Sequence, residues 1–281
     1  MKLPGQIEPA SDSLLSAIQE LEEKIGRPIQ FLDITTHPNP TVRSARGHHD
    51  WDGLSERIWL NPNLSHDDQE AVAAHELAHI LQKAEGYCQT ATQRDSSGQP
   101  ILPEVNLLGR SINSLVEDVM ADRWAIERGF KVIDGLRSDA LPKALADARK
   151  MNPEDEAALN WNAYYASMEN LAQIIESGEQ IQGHILLGQE IRTQILAIGY
   201  ANLKLRLSPF DLFSELDAIW ANRRPKARAL GIDIAALVGS IGVANRDLSE
   251  RATIAVLEYL RIHPRLIVVK RSITGEVVWP K

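Results

Sequence analysis

Residues 65–86 read SHDDQEAVAAHELAHILQKAEG, and this stretch decides the fold. Ser65 with Asp68 three residues on matches a capping box, and Gly86 is a good C-cap, so a helix is expected over about 66–85. No Gly or Pro interrupts it. Inside it stands His75-Glu76-Leu77-Ala78-His79, an H-E-x-x-H motif. The two histidines are i and i+4, so their imidazoles share one helical face and reach the same ion. Zinc is the natural borderline metal for neutral imidazole nitrogens. Glu76 sits beside them and can take a proton from a zinc-bound water without occupying a coordination position. The small residues Ala71, Ala73, Ala74 and Ala78 leave room for a neighbouring element. The opposing reading is a pair of ordinary surface or core histidines. Both histidines, the intervening Glu, the cap and an upstream strand together favour a metal site, catalytic rather than structural.

Working outward, Leu14, Leu15, Ile18, Leu21 and Ile25 recur at helical spacing after Ser11 and Asp12, and Gly26 and Pro28 stop that helix. Ile29–Thr35 (IQFLDIT) reads as a strand and Arg57–Asn61 (RIWLN) as a second, short one, with a long loop from His37 to Ser55 between them. Tyr87–Gly109 reads as irregular, and a further helix is expected over about Ser111–Arg128. Beyond Arg137 helices are expected at 153–176, 181–203, 208–221 and 247–262, with Pro153 and Pro209 at first helical positions. The tail reads as a hairpin around Thr274-Gly275. The expected fold is α+β and predominantly helical: a domain over residues 1–136 with a small sheet and the H-E-x-x-H helix, then a helical domain over 137–281 ending in a short hairpin.

Composition sets the outer bounds. A chain of 281 residues with 44% hydrophobic and 24% charged residues buries a sizeable core and is not extended disorder. The formal net charge of −8 argues against a nucleic-acid partner, and the cluster Arg223, Arg224, Lys226, Arg228 reads as a solvated turn beside Pro225. Cys88 is the sole cysteine, which excludes an internal disulfide and a thiolate-rich metal site and fits a reducing cytoplasm. The uncharged stretches Thr193–Leu203 and Ile234–Asn245 are well short of the roughly 20 apolar residues of a spanning helix, and no secretory signal follows Lys2. The sequence leaves the oligomeric state open.

The order RIWLN, then PNLSHDDQEAVAAHELAHILQ, resembles the zincin-type metallopeptidases, in which a short edge strand precedes the H-E-x-x-H helix and binds substrate backbone. The layout, a strand ending in Leu-Asn-Pro and then the zinc helix, is similar to the ImmA/IrrE-like peptidases in particular. The resemblance covers about Ile29–Phe130. It implies a zinc metallopeptidase acting on peptides or a specific regulatory protein, with Arg57–Asn61 as the substrate-holding edge strand. Metzincins carry H-E-x-x-H-x-x-G-x-x-H; here Gln82 and Glu85 stand at the last two positions, so that branch fits poorly. Gluzincins take a Glu from a later helix, and the helix SINSLVEDVMADRWAIERGF supplies Glu117 as the first choice of third ligand. Asp118 is a rival: Asp118-x-x-Ala121-Asp122 resembles the E-x-x-A-D pattern of HtpX-type peptidases, and one of the two aspartates would ligate while the other orients a zinc-bound histidine. An exposed acidic rim beside Arg123 is the bland alternative, and Glu104 ranks behind both. The expected site is therefore Zn²⁺ on His75, His79 and Glu117, with Glu76 as general base. His48, His49 and Asp50 are weaker candidates for touching metal or substrate. Tyr87, Arg123, Tyr164, Tyr165 and His184 are open candidates for an oxyanion donor. Trp161, Tyr164, Tyr165 and Met168 are most simply core. A catalytically inactive zincin-like binding module and a helical adaptor are the rival functions.

Overall fold

The computed structural model describes residues 1–6, 8–94, 98–151, 185–264 and 266–279. The helix expected over 153–176, with Trp161, Tyr164, Tyr165, Met168 and His184, lies outside the described residues. The fold is α+β and predominantly helical, with two small three-stranded sheets among the described residues. The chain divides into two compact units, each assembled from two stretches: Met1–Glu85 with Met120–Pro142, and Gly86–Val119 with Lys143–Lys281.

The first unit begins with helix α1 (Asp12–Ile25), whose Ser11 side chain accepts the Leu14 N–H and caps the first turn. Strand β1 (Ile29–Asp33) runs parallel to β3 (Glu56–Leu60), and β2 (Gly47–Trp51) runs antiparallel to β3, giving the order β1-β3-β2. Two expectations are corrected here. The long loop from His37 to Ser55 contains a strand, β2, whose sequence GHHDW carries no apolar alternation and is held by its pairing with β3. The RIWLN strand is therefore central rather than an edge, because β1 and β2 occupy both its sides. The edge available in this sheet next to the motif helix belongs to β2.

Helix α2 (His66–Ala84) packs on β2, β3 and α1. Ser65 accepts the Asp68 N–H at 3.2 Å and donates its hydroxyl to the Asp68 carboxylate at 2.7 Å, so the expected capping pair forms. Ala73, Ala74 and Ala78 are fully buried, which is how the helix comes close to the sheet. Leu14, Ile34, Ile58, Leu60 and Leu77 complete this core. Gln69 donates to the carbonyls of Pro4 and Asn61, both at 2.9 Å, tying the N-terminal segment and the chain just beyond β3 to α2.

The second unit holds β4 (Cys88–Thr92), β5 (Ile267–Arg271) and β6 (Val277–Trp279), all antiparallel in the order β4-β5-β6. The C-terminal hairpin is as expected; β4, in a stretch expected to be irregular, owes its existence to pairing with β5 from the far end of the chain. Helix α3 (Pro103–Glu127) starts earlier than expected, with Pro103 at its first position, where the missing N–H costs nothing. It is one unbroken helix whose last turns, from Met120, belong to the first unit. There α4 (Val132–Gly135) follows and packs on α2, and α5 (Leu141–Lys150) comes next in the chain.

Helices α6 (Ile185–Leu207), α7 (Ser214–Arg223), α8 (Pro225–Ile241) and α9 (Arg246–Tyr259) form the helical body of the second unit. α6 and α8 cross closely at Gly231, where an added Cβ would lie 2.6 Å from both the Ala197 carbonyl oxygen and Tyr200 Cδ1. Tyr200 packs against Phe213 and Trp220 and donates its hydroxyl to Asp217. Asp217 also takes Nε and Nη2 of Arg228 at 2.7 and 2.9 Å. Arg223, Pro225 and Lys226 are exposed, as expected for a solvated turn, and within the cluster Arg224 departs from that reading at 5% exposed. No helix among the described residues is long and apolar enough to cross a membrane.

Candidate metal centre

The site is built on α2. One turn apart, the rings of His75 and His79 meet edge to face, with centroids 4.6 Å apart and an interplanar angle of 83°. Their Nε2 atoms are 3.0 Å apart. The other nitrogen of each ring is anchored elsewhere. His75 Nδ1 lies 2.8 Å from Asp122 Oδ1, and His79 Nδ1 lies 2.9 Å from Gln82 Oε1. Asp122 is 5% exposed, and Gln82 is held in turn by a contact from its Nε2 to Met120 Sδ. Both anchors can accept the Nδ1–H of their ring, and in that tautomer both Nε2 lone pairs turn toward each other, where a cation would be held between them. Two imidazole Nε2 atoms held this way fit a shared zinc ion, whose bonds to nitrogen are about 2.0–2.1 Å. An Nδ1–H donated to a carboxylate is the usual outer partner of a metal-bound histidine.

Glu76 is largely buried between the motif helix and the sheet, and its Oε2 lies 3.1 Å from His49 Nδ1. Burial alone would raise its pKa, but the His49 hydrogen bond and the charges of His79, His49 and His75 outweigh that and hold it at about 2. His49 comes from β2, and its ring stacks on His79 with centroids 5.7 Å apart and planes 20° from parallel. Gly47, on the same face of β2, permits this approach. A Cβ there would fall 2.3 Å from Val72 Cγ1 and 3.2 Å from Glu76 Oε1.

On α3, Asp122 is the carboxylate bound to His75, and Asp118 precedes it by one helical turn. A second group, His37, His48 and Asp50, gathers three ligand atoms within 4.8 Å of one another. Asp118 and Asp122 share a face of α3, whereas Glu117 points elsewhere on the helix and lies near enough to Cys88 to help push that thiol up. Asp118 Oδ2 also receives Asn202 Nδ2 at 3.3 Å and faces Arg206 Nη1 at 3.5 Å, both from α6. Glu104, in the first turn of α3, and Arg123 are exposed, and Tyr87 is buried.

The second group lies around β2 and fits a hydrogen-bonded cluster better than a metal. His37 Nδ1 accepts the Asn39 N–H at 3.0 Å, which puts the ring proton on Nε2, facing Asp50 Oδ2 at 3.3 Å. Arg57 Nε takes Asp50 Oδ1 at 2.6 Å. Burial would raise the Asp50 pKa, but the hydrogen bonds from Arg57 and His37 and the Arg57 charge hold it below the usual value. Burial pushes His48 down; Glu76 opposes this, while His49 and His37 reinforce it.

Residues 29–114 match the IrrE N-terminal-like domain of peptidase family M78. The IrrE-like segment covers under a third of the chain, from β1 through α2 and into α3, and contains His75, Glu76, His79 and His49. It ends before Glu117, Asp118 and Asp122, so it does not reach the carboxylates of α3. No curated protein and no solved structure matches the chain. The sequence left the partners of the IrrE-like motif open at two places. Gln82 was read only as a departure from the metzincin pattern, although its i+3 spacing from His79 puts it within reach of that ring. His49 was one of two neighbouring loop histidines, and only strand alternation separates the one facing α2 from the one facing away.

Proposed function

We propose that this chain is a zinc metallopeptidase in which His75, His79 and one carboxylate of α3 hold the ion and Glu76 is the general base. The observation that carries this reading is the pair of histidines whose Nδ1 atoms are tied to acceptors and whose Nε2 lone pairs converge at 3.0 Å. For the third ligand we take Asp118 over Glu117. It shares a face of α3 with Asp122, one turn on, and Asp122 is bound to His75. When bound, zinc supplies a Lewis acid that polarises the scissile carbonyl and acidifies water.

The chain's own residues do the rest. Glu76, ionised at neutral pH, accepts the proton of the attacking water and returns it to the leaving amine nitrogen. Asp122 and Gln82 keep both rings in the tautomer that offers Nε2. The free edge of β2 holds the substrate chain extended by backbone hydrogen bonds, the role the sequence assigned to RIWLN. In this reading residues 1–136 are the peptidase part and 137–281 the helical part. The substrate is a protein, the IrrE-like segment favours a single regulatory protein, and the compartment is the cytoplasm, where Cys88 stays a thiol.

The test is zinc loading of the full chain followed by assay on labelled casein and on the chain's own proteolysis, wild type against Glu76→Gln. Zinc retained by both, with cleavage by the wild type alone, supports the reading. Equal cleavage by the two proteins overturns the general-base role.

A further inference from the structure

We propose that His49 is a positioning residue of the motif site: its Nδ1–H holds Glu76 by Oε2 and leaves Oε1 as the proton acceptor. This rests on the metallopeptidase reading and deepens it.

Three features of the first unit point to this role. The Glu76 carboxylate is anchored from outside its own helix by His49 Nδ1, at 3.1 Å. The His49 ring lies nearly parallel on His79, so its nitrogens sit in a plane offset from that ring; the edge-to-face His75–His79 pair instead aims its two Nε2 atoms at one point. His49 therefore stands over the ligand pair without joining it, and it is not among the grouped ligand atoms. The strand that carries it is brought in at van der Waals range by Gly47, where any side chain would meet Val72 and Glu76. A glycine facing Glu76, followed two residues later on the same strand face by the histidine that binds Glu76, makes β2 a support for the carboxylate as well as a sheet edge.

The physical need is plain. A glutamate side chain has three rotatable bonds, and proton transfer needs one oxygen within about 2.6–3.2 Å of the attacking water. Tethering Oε2 removes most of that freedom before substrate arrives.

The experiment uses the zinc-loaded full chain with ¹⁵N-labelled histidine, as wild type, Glu76→Gln, His49→Ala and His49→Asn. Asparagine places an amide donor at the position of Nδ1. Three readouts are taken: long-range ¹H–¹⁵N spectra of His49, zinc affinity by competition with a chromophoric chelator, and binding of acetohydroxamic acid, whose acidic proton needs a carboxylate acceptor beside the metal. The expected result is a protonated Nδ1 on His49 whose resonance moves in Glu76→Gln. Zinc affinity should change less than about 3-fold in both His49 variants, and acetohydroxamate binding should weaken about 10- to 100-fold in His49→Ala, with most of it restored in His49→Asn. An unprotonated Nδ1, a His49 signal blind to Glu76→Gln, or unchanged acetohydroxamate binding in His49→Ala overturns the proposal. Collapse of zinc affinity in both His49 variants overturns it as well, by making His49 a ligand. A wild-type chain that takes up no zinc overturns the underlying metallopeptidase reading instead, so the two failures are distinct.

Discussion

His75 and Asp122 are joined by a 2.8 Å hydrogen bond from imidazole Nδ1 to carboxylate Oδ1, between the motif helix and α3. The bond fixes which nitrogen of His75 carries the proton and therefore which one is free to ligate. Because Asp122 is nearly fully buried, its carboxylate has little water to turn to and stays committed to this partner.

Asp122→Asn is therefore expected to weaken zinc binding rather than abolish it. Outer partners of ligating histidines contribute about 10- to 100-fold in metal affinity, and a loss in that range is expected from chelator competition. A loss as complete as that of His75→Ala would make Asp122 a ligand itself.

The choice between the two neighbouring carboxylates of α3 is a separate prediction. Asp118→Ala is expected to release zinc during dialysis, whereas Glu117→Ala retains it, since Asp118 shares the helix face of Asp122, which binds His75, and Glu117 does not. Elemental analysis of both dialysed variants reads the answer, and the reverse pattern restores Glu117, the first choice from sequence.

Two glycines make opposite predictions about stability. At Gly47 a Cβ would meet Val72 Cγ1 at 2.3 Å, so Gly47→Ala is expected to cost about 1–3 kcal/mol and to push β2 away from Glu76. At Gly199, inside α6, an added Cβ meets nothing within 4 Å, so Gly199→Ala is expected to stabilise by about 0.5–1 kcal/mol through helix propensity. Urea denaturation of the two variants beside the wild type checks both signs.

Cys88, at the start of β4, gives a pH prediction of its own. Burial, with added repulsion from Glu250 and Glu117, lifts its thiol from 9.0 to about 11, against a hydrogen bond with Thr253. A raised folded-state pKa means that stability is intact below the unfolded thiol's value and is lost as pH rises from about 9 to about 11. The loss from this group is at most about 3 kcal/mol. Denaturation midpoints between pH 8 and 10.5 should fall more steeply in the wild type than in Cys88→Ala. Parallel slopes would mean that the thiol is not held protonated by the fold.

What the sequence disclosed and what it withheld follow from the range of the interactions. α1 and α2 were legible because their caps, Ser11 and Ser65, and their stops lie within a few residues of the apolar stripe they bound. The ligand pair His75–His79 was legible for the same reason, being one helical turn. β2 was not, because GHHDW has no apolar alternation of its own and is defined by its register against β3. β4 was hidden similarly, since its partner β5 lies at the other end of the chain. Mistaking RIWLN for an edge followed from missing β2, and with it went the significance of His49. Asp122 and Asp118 were visible as an i, i+4 pair, but their division of labour depends on which one meets His75.

The central claim, that the two histidines of the motif hold one zinc ion, is tested most directly by the metal content of the full chain. The protein is loaded with zinc, desalted and measured by elemental analysis beside His75→Ala and His79→Ala. The expected result is about one zinc per wild-type chain and none in either variant. A wild-type chain without zinc, or the same zinc content in all three proteins, would contradict the account.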